Sequence, residues 1–417
     1  MRSRRDALKV LGAGALGALA PDVLGKGTAQ AQAPTLMMDG HVHIINRVYW
    51  EGIDVWQPQP GLGADYARAK ASGVNCVVDN IGTYGYWNYN YSPKQALRLL
   101  ETTHRFAEKH SDKMAIAYSV ADARAIVASG RMAVFIGCES GIDHEGDLEV
   151  LGAMFRLGLR VLQFATQSGY NAFADSALAA MQGGQPTDHH KGITERGRAM
   201  VREMNRLGML IDITHGTEAV QLQLIEASRA PVVASHDAIR AVAGVGLSDD
   251  VLKALAAKGG MVGIHGAAAL VGKRYRQWMG QKPENALHAG GAVGRMVGYQ
   301  PAAPRPPGDR GEWIAAMDEG FRQRWRALGE WKELPEAEAA VPSAEEWAEQ
   351  VDYVIKTVGA DHVGVGLDAV AGRSAVPRDA SGYRDLLAAL NQITTPENVR
   401  KITGENWFRV LERAKAV

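Results

Sequence analysis

Cysteine is nearly absent from this chain of 417 residues, with two in all, Cys76 and Cys138. A disulfide-built framework is therefore excluded, and the fold must rest on a packed apolar core. Net charge is also missing: 46 basic residues balance 46 acidic ones, and no basic stripe interleaves with aromatics. That argues against nucleic acid as a partner. No apolar run reaches the roughly 20 residues that a membrane-spanning helix needs. What remains, 46% hydrophobic and 22% charged residues, supplies enough core for a large soluble domain.

The N-terminus reads as an export signal rather than as part of the fold. Ser3-Arg4-Arg5-Asp6-Ala7-Leu8-Lys9 has the twin-arginine pattern, an apolar Gly/Ala-rich stretch runs from Val10 to about Leu24, and Ala29-Gln30-Ala31 offers small residues for cleavage. Residues 1–31 are thus expected to be a twin-arginine signal peptide, and residues 32–417 a periplasmic mature protein. The segment carries five basic and two acidic residues, so its removal leaves a formal charge of −3.

Beyond it, short apolar runs alternate with amphipathic stretches. Met37–His43, Val74–Asp79, Ala133–Glu139, Arg160–Phe164, Met209–Thr214, Val232–His236, Met261–His265 and His362–Asp368 read as strands. Ser92–His110, Leu148–Leu157, Thr194–Leu207, Thr217–Ser228 and Ser248–Lys258 read as helices between them. Eight strands with intervening helices predict an α/β fold, a (β/α)8 TIM-type barrel. Residues 272–345 break the rhythm and read as an insertion after the seventh strand, over the barrel mouth or at a homodimer contact. A loop with five aromatics, Tyr84 to Tyr91, is expected on the same face, lining a substrate pocket or packing at an interface. Cys76 and Cys138 both sit in strand-like runs, where buried thiols and a single disulfide are both open.

Chemistry gathers at the ends of these runs. His41 and His43 leave the first strand on one face by its period-2 alternation. Glu139, His215, His236 and Asp368 each follow an apolar run, as residues at the C-terminal end of buried parallel strands do. Imidazole is the commonest ligand for zinc-like ions, and a carboxylate can bridge two of them. His41 and His43 would hold one metal, His215 and His236 a second, and Glu139 would bridge the pair. Metal binding lowers the pKa of water to about 7, so a metal-bound hydroxide would attack the substrate, with Asp368 as acid/base. Asp368 alone would also suit a helix cap, and an isolated strand-end histidine a structural hydrogen bond.

Several longer motifs are similar to the membrane (renal) dipeptidase family of the amidohydrolase superfamily. They are Asp39-Gly40-His41, Gly137-Cys138-Glu139-Ser140-Gly141, Asn171-Ala172-Phe173-Ala174-Asp175-Ser176, Met204 through His215, Ala230 through His236 and Asp361 through Asp368. The resemblance runs from about residue 37 to the C-terminus. It implies a two-zinc site at the C-terminal end of a (β/α)8 barrel that hydrolyses amide bonds of dipeptide-like small molecules. By it, His41, Glu139, His215 and His236 would be ligands and Asp368 the catalytic group. Three departures stand out. His43 occupies a position where the family carries Asp. The stretch Phe164 to Asn171 lacks the family's histidine. Val245 stands where the family has an arginine for the substrate carboxylate, and nearby Arg240 lies on the wrong turn of chain. His265 is either a replacement for the missing imidazole or a structural residue, and His144, His189 and His190 receive no role. Other readings are a lactonase or esterase, an N-acyl amide hydrolase, or a silent periplasmic binding protein.

Overall fold

Among the described residues, eight of nine parallel strands form one continuous ladder, whose two outer members approach each other to leave a nearly closed barrel. The strands are β1 (Met38–Val42), β2 (Cys76–Gly82), β3 (Met114–Ile116), β4 (Met132–Glu139), β5 (Leu159–Gln163), β6 (Leu210–Asp212), β7 (Val233–Asp237), β8 (Met261–Ile264) and β9 (Val363–Val365). This computed structural model describes residues 36–415, apart from 60–62, 83–91, 140, 144, 166–170, 179–187, 286–314, 316–318, 321, 324–325, 327–333 and 369–374. The export segment, the aromatic loop 84–91 and His144 lie outside the described residues. Of the helix-like run 311–331, only Ala315, Glu319, Gly320, Arg322, Gln323 and Arg326 are described, all of them helical.

The order β1-β2-β4-β5-β6-β7-β8-β9 matches the eight strands read from the sequence. The strand that sequence reading missed is β3, three residues long, which pairs beside the start of β4 and stays off the barrel path. Helices fill the crossovers, and their ends follow local chemistry. Thr194, Thr217 and Ser248 cap helices Glu195–Leu207, Glu218–Ala227 and Asp249–Ala257 through their side chains. Gly208, at φ 76, takes the left-handed C-cap that ends the first of these.

Closure between β9 and β1 is a matter of polar contacts. Asp39 accepts from the backbone N–H of Leu367 at 3.1 Å and of His41 at 3.0 Å, and from the Tyr383 hydroxyl at 2.6 Å. The Asp368 N–H donates to the His41 carbonyl at 2.9 Å. One carboxylate thus fastens the first strand to the last, beside two candidate site residues.

The strands' two faces bury different things. Met38, Cys76, Val78, Ala133, Phe135, Val161, Leu210, Val233 and Met261 pack with Trp407, Phe408, Val410 and Leu411 of the final helix, Asn406–Lys415. Val77, Val134, Ile136, Cys138, Leu162, Ile211 and Val262 belong to the larger core shared with the surrounding helices. The C-terminal helix therefore plugs the barrel floor. Trp407 donates to the Val365 carbonyl at 2.9 Å. A Cβ at Gly40 would lie 1.8 Å from its ring, so that position requires glycine. Cys76 and Cys138 are free and buried in separate core clusters, so the open choice resolves to two thiols.

Candidate metal centre

A backbone irregularity in β1 aims the two histidines. Asp39 pairs with Val77 but Val42 pairs with Asp79, so β1 carries one extra residue between them. Met38 packs with the barrel floor and Val42 with the outer core. Strict alternation would have turned Val42 inward and His41 and His43 outward with Asp39. The extra residue reverses the phase, as a β-bulge does, and both imidazoles turn toward the other site residues.

All six residues singled out in the sequence come together, buried or nearly so. His43 Nε2 lies 2.5 Å and His41 Nε2 3.5 Å from Glu139 Oε2. His215 Nε2 lies 3.0 Å and His236 Nε2 3.8 Å from Glu139 Oε1. Each carboxylate oxygen thus faces one pair of imidazoles, β1's on one side and the β6 and β7 pair on the other. Asp368 Oδ1 stands 3.3 Å from His43 Nε2, and its Oδ2 stands 3.3 Å from His265 Nε2. His215 (φ 65) and Asp368 (φ 50) hold left-handed backbone, which costs a non-glycine residue on the order of 1 kcal/mol or more. These two sit at the site; a third such residue among those described, Lys191 (φ 56), is not one of the six.

The electrostatics are those of a cavity collecting positive charge around one anion. Burial opposes ionisation of His43, but Glu139 and Asp368 outweigh it and raise its pKa to about 10. Burial likewise opposes charge on His215, and Glu139 again raises it. His236 is driven well below its usual value by burial and by the neighbouring His41 and His215. Glu139 itself stays well below the carboxylate range: burial would raise it, yet the His43 charge and three imidazole hydrogen bonds prevail.

This donor set fits a divalent cation pair. His43 Nδ1 is 2.8 Å from the Asn80 carbonyl, and His41 and His236 Nδ1 are 2.9 and 2.8 Å from the Ser235 hydroxyl. With their outer nitrogens engaged by oxygen, the rings turn their Nε2 atoms to the centre, as metal-ligating histidines do. His41 and His43 Nε2 lie 3.2 Å apart, as do His215 and His236 Nε2. So close an approach of two ring nitrogens also suits a cation held between them. Against the cost of burial, Glu139 and Asp368 favour the protonated form of metal-free His43, so a cation that takes it as a ligand must displace that proton. Uptake should therefore release protons at pH 7, and affinity should rise about tenfold per pH unit for each proton displaced, until pH approaches His43's value. Calorimetry of zinc binding in buffers of differing ionisation enthalpy measures this; an identical heat in all buffers would contradict it.

His265 belongs to the site in another capacity. Its Nδ1 accepts the Ala267 N–H at 3.0 Å, so the neutral ring carries its proton on Nε2, facing Asp368. His190 is tied to Asn171 and Asp175 in a loop. Sequence reading missed Ser235 and Asp212, which lie behind the imidazoles; a polar residue inside each apolar run, Ile211-Asp212-Ile213 and Ala234-Ser235, was the available signal.

Residues 28–417 match the family model described as membrane dipeptidase, peptidase family M19. The chain belongs to that family. Dipeptidase tcpJ of Claviceps purpurea is 27% identical over 93% of this chain and 79% of its own length. Dipeptidase 3 of Rattus norvegicus is 35% identical, over 34% of this chain and 29% of that protein. Among solved structures, the probable dipeptidase PvdM from Pseudomonas aeruginosa superposes with a TM-score of 0.68 at 21% identity, covering 92% of this chain and 96% of that one. A metallo peptidase from Rhodobacter sphaeroides, liganded with a phosphinate mimic of the dipeptide L-Ala-D-Ala, gives 0.63 at 20% identity, over 91% and 99%. This M19 chain is accordingly a metallohydrolase of dipeptidase type on a TIM-type barrel, with its candidate metal site at the C-terminal ends of the strands.

Proposed function

We propose that this M19 enzyme uses two zinc ions to hydrolyse an amide bond in a small substrate that lacks a free carboxylate beside that bond. The observation that carries the two-metal reading is Glu139, whose two oxygens each face a separate pair of imidazoles. His41 and His43 would hold one ion, His215 and His236 the other. When bound, such a pair lowers the pKa of water to near neutrality and polarises the carbonyl under attack. The protein's own groups do the rest. Asp368 takes the proton from the attacking water and returns it to the leaving nitrogen. His265 Nε2–H faces Asp368 Oδ2 and holds the carboxylate in register. The Asp368 N–H, tied to the His41 carbonyl, fixes its backbone to the same strand end as the ligands.

The substrate class rests on what surrounds the position of the family arginine. Val245 is more than a third exposed and offers no charge. Arg240 is committed to Glu218 at 2.9 Å and to the Gly246 carbonyl at 3.0 Å. Neither Val245 nor the committed Arg240 offers a substrate carboxylate brought out of water the charge-assisted partner it needs. Dipeptides blocked as C-terminal amides, or N-acyl amides, avoid that cost.

The test compares free dipeptides, their C-terminal amides and a simple lactone with zinc-loaded enzyme. We expect the amides to be cleaved with kcat/KM at least tenfold above the free dipeptides, a margin of about 1.4 kcal/mol. Equal rates on free and blocked dipeptides would overturn the carboxylate argument; turnover of the lactone alone would favour an esterase. Intact mass of protein recovered from the periplasm reports whether residues 1–31 have been removed, as the export reading requires.

A further inference from the structure

We infer that the single hydroxyl of Ser235 sets the proton positions of two imidazoles at once, one belonging to each metal, and so couples the two sites before any ion arrives. This rests on the two-metal reading above.

The argument is a count of protons and lone pairs. Asp212 Oδ1 accepts from Thr214 N–H at 3.0 Å, the Thr214 hydroxyl at 2.7 Å and Ser235 N–H at 2.9 Å. Three donors converge on that one oxygen, which acts purely as an acceptor. Its other oxygen, Oδ2, meets the Ser235 hydroxyl in a short hydrogen bond. Ser235 is the donor in that bond, so its proton is spent on Asp212. Two lone pairs remain on Ser235 Oγ, and two nitrogens approach it: His41 Nδ1 at 2.9 Å and His236 Nδ1 at 2.8 Å. Both must donate. Each neutral ring then has its proton on Nδ1 and its lone pair on Nε2, the atom that faces Glu139.

Ser235 thereby has one donor and two acceptor positions, all used, and is itself fully buried. The two rings lie 3.7 Å apart between centroids, held against one another by the shared oxygen. His41 groups with His43, Glu139 and Asp368, whereas His236 groups with Glu139 and His215 and also with His265 and Asp368. A further grouping, His41, Asp212 and His236, also has cation-binding composition. Ser235 Oγ is already bonded to all three of its members, so that grouping is the support of the others rather than a site. His265 provides the contrast: a backbone N–H on its Nδ1 gives it the opposite tautomer, and it faces Asp368 as a donor.

Ser235 is thus a positioning residue that touches neither substrate nor metal. Outer partners of this kind typically govern metal affinity by about 10–100-fold. The experiment titrates metal-stripped wild-type, Ser235→Ala and Ser235→Thr proteins with Zn2+ against a chelator, and with Co2+ followed by its absorption spectrum. Circular dichroism of the stripped proteins tracks the fold. Ser235→Ala is expected to weaken both ions by about 10–100-fold with the fold retained, and Ser235→Thr, which keeps the hydroxyl, to stay within about threefold of wild type. Histidine 15N spectra of stripped protein add a readout independent of affinity. Among the rings that carry Nδ1–H in the wild type, those of His41 and His236 should lose that preference in Ser235→Ala, while His43 and His362, whose Nδ1 atoms face backbone carbonyls, should keep it. Loss at one site only, unchanged affinities, or unchanged tautomers in Ser235→Ala would overturn the inference while leaving the two-metal reading intact. A wild-type protein that binds no Zn2+ or Co2+ would overturn both.

Discussion

On the proposed two-zinc reading, Glu139→Gln should cost the protein at least one bound ion and lower kcat by about 10³-fold or more. The substituted amide keeps the shape of the side chain but has one oxygen where two are needed, and its nitrogen cannot ligate. Glu139 is the residue that touches both imidazole pairs, at 2.5 Å to His43 on one side and 3.0 Å to His215 on the other. Losing an ion removes several kcal/mol of transition-state charge stabilisation, and about 1.4 kcal/mol is tenfold in rate. A second consequence is visible without metal. In the metal-free protein Glu139 is the counter-ion of protonated His43, and removing one partner of a buried pair costs about 3–5 kcal/mol. His43 limits that loss by giving up its proton, so its pKa should fall from about 10 toward or below the ordinary histidine value. The sign follows: stability that metal-free wild type draws from His43 is complete below about pH 6.5 and fades as pH rises through about 10. The variant should lack that dependence. Metal analysis, steady-state rates and thermal unfolding across pH measure all three; two zinc ions per chain with kcat within tenfold of wild type would refute the bridging role.

Asp368→Asn should lower kcat by about 10²–10⁴-fold, the range that a general acid–base contributes, while zinc content stays at the wild-type level. The asparagine is close in shape and can keep the left-handed backbone better than most residues, so geometry is preserved. What it loses is the ability to accept and return a proton. Metal analysis gives this prediction its edge, because Asp368 also lies within ligand range of His41, His43 and Glu139. A variant that sheds one ion together with its activity would make Asp368 a ligand and not the proton carrier. A variant with full zinc and nearly full kcat would remove it from the reaction.

Much of this site is legible in the chain because parallel barrels write their function at strand ends. Each of Glu139, His215, His236 and Asp368 terminates an apolar run, and burial on both faces is what makes those runs apolar. Helix ends were legible for an equally local reason: a Ser or Thr side chain satisfies its own backbone N–H two or three residues on, and Gly208 tolerates a left-handed turn. Elsewhere local pattern failed. Three-residue β3 is too short to show a period, and it pairs only with the first residues of β4.

The facing of His41 and His43 illustrates where the sequence stops. Alternation put the two on one face, correctly, but could not say which face. That depended on one extra residue in β1, defined only by pairing against β2. Ser235 is the stronger case, since serine before histidine is unremarkable in a sequence. Its role exists only because β1, β6 and β7 bring His41, Asp212 and His236 within hydrogen-bond reach of one oxygen.

The sequence by itself determined the eight-strand α/β barrel and singled out the candidate residues that the fold brings together, because burial and backbone capping act over a few neighbours. Only the tertiary structure decided which faces those residues present, which oxygen each imidazole meets and which nitrogen keeps its proton. Those are properties of contacts between strands far apart in the chain, and a hydrogen bond is fixed to tenths of an ångström that no local pattern encodes.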